Sequence, residues 1–321
     1  MAVAKKKIPV SRRRRPSPLV VCVLSRKKTL YSTRRLVQAA KLLGYRPLVL
    51  DTLRCNVVVE SGRPVLRYGT EPVPPLDVVV PRIGASITSY GLAVVSQLEM
   101  MEVPVLNDAN AIASSRDKLR CLQLLGRRGV GIPTTLMAHR RTDIGPLVEQ
   151  VGGLPVIVKL IQGTQGIGVM IARTFDEVET LLNTFWDLGH DILLQQFIQE
   201  SEGKDIRAFV VGDRVVAAMR RQAKAGEFRS NIHRGGEGVP IDLSEELTAT
   251  AVRAARIIGL EVAGVDMLES NRGPMVLEVN SSPGFEGIEG ATRLDVAGKI
   301  IRHAAQLALA HKAGFCKRRV V

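Results

Sequence analysis

From residue 19 onward the chain alternates short apolar runs with longer amphipathic stretches. LVVCVLS (19–25) is a β-branched run bounded by polar residues and predicts a buried strand. TLYSTRRLVQAAKLLGY (29–45) places Leu36, Ala39, Ala40 and Leu43 on one helical face and stops at Gly44. PLVLD (47–51) and DVVVPR (77–82) predict two more strands, followed by a helix through YGLAVVSQLEMM and a short strand VPVLN (103–107). Strands alternating with helices predict a parallel α/β unit of about a hundred residues.

Two helical stretches follow, DANAIASS and RDKLRCLQLLGRRG, and the chain then turns strand-rich. PTTLMA, LPVIVKLI, GVMIAR, DILLQQFI, DIRAFVVG and RVVAAMRR predict a run of strands. One helix interrupts them, opened by Thr174 and Glu177 as a capping box. From IDLSEELTATAVRAARIIG onward the pattern gives a helix, two strands (EVAGVDMLES and GPMVLEVNSS) and a closing helix through Asp295–Ala310. The expected organisation is a basic tail (1–18), an α/β domain (19–113), a central α+β lobe (114–200), a second α+β lobe (201–312) and a short basic tail (313–321).

Composition changes this picture little, and charge changes it more. The 321 residues are 45% hydrophobic, enough for two or three packed subdomains. No apolar stretch approaches the roughly 20 residues of a membrane helix, so no membrane contact is expected. Four scattered cysteines predict reduced thiols in a cytoplasmic protein rather than a disulfide frame or a zinc site. The net charge is +14, and KKKIPVSRRRR (5–15) supplies seven of those positives with no acid. Such a run predicts a disordered tail, either simply solvated or touching RNA or the ribosome through phosphate contacts.

The candidate chemistry lies in the later strands. Glu278 and Asn280, two apart on one predicted strand, point the same way, and Asp266 ends a neighbouring apolar run. Three hard oxygen donors without His or Cys suit Mg²⁺ or Mn²⁺, and magnesium is usually shared with substrate phosphates. The same triplet is compatible with a polar strand end carrying chance acids. Gly163, Gly166 and Gly168 form a flexible turn between two apolar runs, whose N–H groups suit phosphate oxygens. It is neither a Walker loop nor a dinucleotide fingerprint, and alone it is also a plain glycine-rich hairpin. Lys159, isolated among aliphatic residues four positions before that loop, calls for an anion, and Lys118 is a second candidate. The backbone around Gln196, Phe197 and Ile198 suits an adenine, with Met267 and Leu277 as candidate walls. The cluster at 217–236 carries Arg220, Arg221, Lys224, Arg229, Asn231, His233 and Arg234, and predicts the seat of an acidic substrate or a solvated basic face.

In their order along the chain, these pieces resemble the ATP-grasp superfamily of carboxylate–amine ligases, and more closely its RimK-type members. The resemblance runs from about Leu19 to the last helix and includes PRIGASIT (81–88), SRDKLRCLQLL (115–125), VKLIQGTQGIGV (158–169), GEFRSNIHRGG (226–236) and EVNSSPGFEGIE (278–289). It implies an ATP-grasp fold, with an N-terminal parallel α/β domain followed by two α+β lobes that sandwich ATP. It implies ATP contacts at Lys118, Lys159, the glycine loop, Gln196, Phe197, Ile198, Asp205 on the ribose, Arg229, Ser230 and Asn231. It also implies two Mg or Mn ions on Asp266, Glu278 and Asn280. Gln196 stands where many members have Glu, and the basic tail lies outside the pattern.

The implied activity adds glutamate to the C-terminus of the sixth small-subunit ribosomal protein, through an acyl phosphate, giving ADP and phosphate. Arg207 and Arg221 are expected to meet substrate or phosphoryl charge. Members of the family are often tetramers, so a homo-oligomer is implied. Two other readings stay open: a ligase joining glutamate or another amino acid to a small-molecule acid, and a nucleotide-dependent ribosome- or RNA-binding regulator.

Overall fold

The computed structural model describes residues 17–139, 143–160, 168–224 and 237–314. The chain opens with β1 (Val20–Ser25), α1 (Tyr31–Leu42) and β2 (Arg46–Leu50). A small antiparallel meander of β3 (Cys55–Val58), β4 (Val65–Tyr68) and β5 (Glu71–Pro72) precedes β6 (Val78–Arg82), α2 (Thr88–Met100) and α3 (Ala109–Arg116). Strands β2, β1 and β6 form a parallel sheet in that order. Along β1, Val21 and Val23 enter one core while Cys22 and Leu24 enter another. Burial on both faces explains why this run is apolar throughout rather than alternating. The expected strand at 103–107 reduces to one parallel bridge between Val105 and Val79, because Pro104 has no N–H to extend a ladder.

The second layer begins with α4 (Lys118–Arg127), β7 (Thr135–Ala138), α5 (Ile144–Gln150), β8 (Val156–Leu160), β9 (Val169–Ala172), α6 (Phe175–Asp187) and β10 (Ile192–Gln196). Its antiparallel sheet has the order β7-β10-β8-β9. The expected cap of α6 forms: the Thr174 hydroxyl accepts from the Glu177 N–H at 3.2 Å. Glu177 reaches back one residue further than the expected box, accepting from the N–H of Arg173 at 2.6 Å rather than from that of Thr174.

The third part comprises β11 (Lys204–Val211), β12 (Arg214–Gln222), β13 (Glu237–Pro240), α7 (Glu245–Ile258), β14 (Val262–Ser270), β15 (Gly273–Asn280), α8 (Glu286–Thr292) and α9 (Val296–Lys312). Its sheet runs β13-β12-β11-β14-β15, all antiparallel. One face, through Ile206, Ala208, Val265 and Val276, packs on α7 and α4. The other, through Phe209, Met219 and Val262, packs on α9 and joins the core that holds Val21 and Val78 of the first sheet. The first and third parts therefore share one core.

Candidate active site

The sheet face that carries Phe209, Met219 and Val262 changes character along its length. Asp205 and Arg207 precede Phe209 at a spacing of two on β11, Arg221 follows Met219 on β12, and Asp266 follows Val262 and Gly264 on β14. Alternate residues of a strand share a face, so the surface that is apolar under α9 becomes densely charged beyond it. Antiparallel register sets Asp205 opposite Arg221, and Arg207 opposite Asp266.

Those cross-strand neighbours bind one another. Arg221 Nε donates to Asp205 Oδ1 at 2.7 Å, and its Nη2 bonds to Asp205 Oδ2. The same Nη2 lies 3.0 Å from Asp266 Oδ2. Arg207 holds Asp266 from the other side with two hydrogen bonds, of 2.6 Å from Nε and 2.5 Å from Nη2. Burial pushes the Asp266 carboxyl up, but the charges of Arg207 and Arg221 outweigh it and hold the group well below the usual carboxylate range. For Arg221, burial works against the charge, yet Asp266 and Asp205 keep it firmly protonated.

Glu278 lies opposite Asp266 on β15, with Asn280 two residues further along the strand. Asn280 Nδ2 donates to Glu278 Oε1 at 3.0 Å. Leu277 is an extra residue between the paired positions of β14 and β15, a bulge that re-aims the neighbouring side chains. Glu278 is open to solvent yet has protein around it on most sides, which places its carboxylate on the floor of a cleft. That surrounding mass raises its pKa, and the charge of Asp266 raises it further. Gly264, opposite Asn280, admits the turn after β15: a Cβ there would stand 2.8 Å from Cβ of Pro283. Asp266, Glu278 and Asn280 thus form an all-oxygen group, which fits magnesium or manganese rather than zinc. Among the described residues, no cluster of three His, Cys, Asp or Glu side chains offers another metal site.

Cations surround Glu278. Lys118, at the start of α4, donates from Nζ to the carbonyl of Leu160 at 2.9 Å. Lys159 on β8 donates to Gln195 Oε1 at 2.6 Å, and Gln195 in turn donates to Thr135 Oγ1 at 2.7 Å. Burial pulls the Lys159 ammonium down to about 8, with Glu278 opposing and Lys118 adding to the fall. Burial also lowers Lys118, against the pull of Glu278. The two lysines have only neutral oxygens as hydrogen-bond partners among the described residues. Together with Glu278 they make a cleft in which, among the described residues, neither lysine is hydrogen-bonded to a carboxylate.

Gly168 has φ +75°, a conformation that favours glycine, and its carbonyl accepts from the Leu160 N–H at 3.0 Å. Gly163, Gly166, Arg229, Ser230, Asn231, His233 and Arg234 lie outside the described residues, as does most of the amino-terminal basic tail. The Gln196 side chain accepts from Arg272 Nη2 at 2.8 Å, while its backbone N–H donates to the Thr134 carbonyl at 2.8 Å. Phe197 is half-buried and Ile198 buried. Met267 is fully buried in the core under α7, whereas Leu277 is half-buried at the bulge. Asp205 is buried against Arg221, a partner that strand register supplies and linear spacing does not reveal.

Three residues beyond the sequence-based set neighbour these groups or one another. Gln195 orients Lys159, and its place inside an apolar strand was the available signal. Arg116, at the end of α3, is lowered by burial and raised by the charge of Glu278, which places it beside the carboxylate. Arg82 ends β6, and burial followed by the charge of Arg116 brings it down to about 10. Both arginines sit in segments whose spacing alone suggests only a strand end and a helix end.

Residues 19–112 match the RimK PreATP-grasp domain, and residues 115–304 match the RimK-like ATP-grasp domain. A probable alpha-L-glutamate ligase of Pseudomonas paraeruginosa is 54% identical over 283 residues, covering 88% of this chain and 94% of that protein. One of Hydrogenovibrio crunogenus is 53% identical over 291 residues, covering 91% and 97%. Among solved structures, the ATP-grasp ligase PsnB, complexed with a phosphomimetic variant of its minimal precursor, Mg and ADP, superposes with a TM-score of 0.70 at 22% identity, covering 91% of this chain and 99% of that one. The D-alanine–D-alanine ligase of Bacillus anthracis complexed with ATP gives 0.66 at 16% identity, covering 93% and 99%.

Proposed function

The chain belongs to the RimK-like family of ATP-grasp ligases, and from that premise we propose that it adds glutamate to the C-terminal carboxylate of the sixth protein of the small ribosomal subunit. The observation that carries the reading is the complementary cleft. Lys118 and Lys159 are bonded only to neutral oxygens, Asp266, Glu278 and Asn280 offer hard oxygen donors beside them, and a magnesium nucleotide would suit both.

Its nucleotide phosphates lie against Lys159 and Lys118, with Gly163, Gly166 and Gly168 as further phosphate contacts. The adenine lies along Gln196, Phe197 and Ile198, and Arg229, Ser230 and Asn231 complete the nucleotide side. Asp266, Glu278 and Asn280 would hold two magnesium or manganese ions, which would supply positive charge to the nucleotide phosphates. Asp205 acts on the nucleotide side by fixing Arg221, since its carboxylate is engaged there.

The chemistry follows from what a carboxylate cannot do unaided. Its oxygen is a poor leaving group, so direct attack by an amine fails. In the proposed sequence an acceptor carboxylate oxygen attacks the γ-phosphorus, and the bond to the bridging oxygen of ADP breaks. The glutamate amine then attacks the acyl carbon, phosphate departs with the former carboxylate oxygen, and the amine loses a proton. Arg207 and Arg221, held by Asp266 and Asp205, supply positive charge near the phosphoryl and the oxyanion as their charge develops. No side-chain nucleophile is required.

The deciding experiment is intact-mass spectrometry of that ribosomal protein incubated with this chain, ATP, magnesium and glutamate. A ladder of added glutamate residues that vanishes without ATP is expected. Phosphate release with glutamate and a small acid, but no ladder, would move the acceptor to a small molecule and keep the ligase chemistry.

A further inference from the structure

Four buried donors near the cleft lack partners. Nε of Arg82, Nε of Arg116 and the hydroxyls of Ser281 and Ser282 are all buried without a hydrogen bond. They come from three segments: the end of β6, the end of α3 and the turn after β15. Each guanidinium donates from Nη2 to a backbone carbonyl and leaves its Nε without a partner. Arg82 Nη2 donates to the Pro283 carbonyl at 2.8 Å, with the guanidinium carbon 5.6 Å from the Phe285 ring centre. Arg116 Nη2 bonds to the Ile83 carbonyl. Neither arginine forms an ion pair among the described residues, and each stands close enough to repel or attract its neighbours: Arg82 feels Arg116, and Arg116 feels Glu278.

The seat of the two serines is fixed. Asn107, at φ +87°, donates from Nδ2 to the carbonyls of Ser281 and Val262, both at 2.8 Å. Its Oδ1 accepts from the N–H groups of Glu261 and Val262 at 2.8 and 2.9 Å. A turn pinned in this way does not leave its hydroxyls unpaired through slackness. Two unpaired guanidinium N–H groups and two hydroxyls, brought together where Arg82 meets Pro283 and Arg116 meets Ile83, are a donor set that suits a carboxylate. The lysines that suit phosphate stand elsewhere, Lys159 on β8 and Lys118 at the start of α4.

An incoming glutamate brings its amine to the acyl carbon and keeps two carboxylates that do not react. We propose that Arg82, Arg116, Ser281 and Ser282 form the pocket for one of those carboxylates. This rests on the reading of the chain as a glutamate ligase. The pocket selects an acidic amino acid and holds its amine toward the cleft floor.

The test is calorimetric titration of the full chain, loaded with magnesium and a non-hydrolysable ATP analogue. The probes are L-glutamate, L-glutamine and glutamate α-amide. The wild-type chain should bind glutamate more tightly than at least one amide, and the weaker amide names the carboxylate recognised. Arg82→Gln and Arg116→Gln should weaken glutamate about 10- to 100-fold and erase that discrimination, with the ATP analogue changed less than about twofold. Ser282→Ala, which removes no charge and no buried volume of consequence, should weaken glutamate by about threefold or more. Variants that bind glutamate like the wild type would overturn the pocket while leaving the ligase reading intact. Equal loss of glutamate and ATP analogue would assign these arginines to the nucleotide and overturn it as well. Failure of the wild-type chain to bind glutamate at all would remove the parent reading together with the pocket.

Discussion

Arg207 lies against the carboxylate of Asp266, with Nε 2.6 Å from Oδ1 and Nη2 2.5 Å from Oδ2. The pair sits where the five-stranded sheet passes from apolar core to charged cleft, so it bears on both stability and chemistry. Breaking a buried pair from one side leaves the other charge poorly compensated, at a cost of about 3–5 kcal/mol. Arg207→Met should fall near 3 kcal/mol, because Arg221 still faces Asp266 at 3.0 Å. The double variant Arg207→Met with Asp266→Leu should recover much of that loss in urea unfolding while ligase turnover stays abolished. Recovery of turnover with stability would make the pair purely structural.

Lys159 gives the cleft a pH signature. Burial brings its ammonium down to about 8 in the free protein, with Glu278 and Lys118 pulling in opposite directions. Nucleotide phosphates favour the charged form and raise the pKa again, so ATP binding near pH 8 takes up protons. Affinity for ATP should fall as pH rises above about 8, until the pKa of the bound form is reached. Calorimetry in two buffers of different ionisation enthalpy reads the uptake directly. Lys159→Arg should remove the uptake, and Lys159→Ala should abolish ATP turnover with the fold intact. Unchanged turnover in the alanine variant would displace the phosphate site from β8.

What the sequence displays depends on which forces act locally. The run at 19–25 announces β1 because both faces of that strand are buried, and α6 announces itself through Thr174 and Glu177. The meander β3–β5 is nearly silent: strands of two to four residues carry too few positions to show a period. In the cleft, Glu278 and Asn280 share a face by strand geometry alone, whereas Asp266 joins them only through the register of β14 with β15. The partners of Asp205 and Arg207 are likewise set by register, which linear spacing does not display. Arg82 and Arg116 are harder still, since they approach the cleft from a different sheet and helix and matter through bonds they lack.

The raised pKa of Glu278 and its contact with Asn280 define how the cleft should respond to metal. Burial and the charge of Asp266 make the free carboxylate reluctant to ionise, and a divalent ion relieves both. Asn280→Ala deletes an oxygen donor and the amide that orients Glu278 at 3.0 Å. It should raise the magnesium concentration for half-maximal activity about tenfold or more. Thermal stabilisation by ATP analogue should show the same shift in its magnesium dependence. An unaltered magnesium curve in both measurements would remove Asn280 from the metal set.

Glu289 latches α1 to α8 across the first and third parts of the chain. Its carboxylate accepts from Tyr31 Oη at 2.7 Å, from Arg35 Nε at 2.9 Å and from the Ala297 N–H at 3.0 Å. Burial alone would raise its pKa, but Arg35, the Ala297 N–H and Tyr31 together hold it below the ordinary value. A carboxyl depressed in the folded state contributes stability above its unfolded pKa, about 4.3, and that contribution drains away as pH falls through the folded value. Glu289→Gln keeps the shape and removes the titration. The variant should be less stable than the wild type at pH 7, with the gap closing between about pH 5 and pH 3. Urea unfolding at those two pH values and at pH 7 measures it. A gap that stays constant across the series would mean that Glu289 holds the two parts together through packing and neutral hydrogen bonds rather than through its charge.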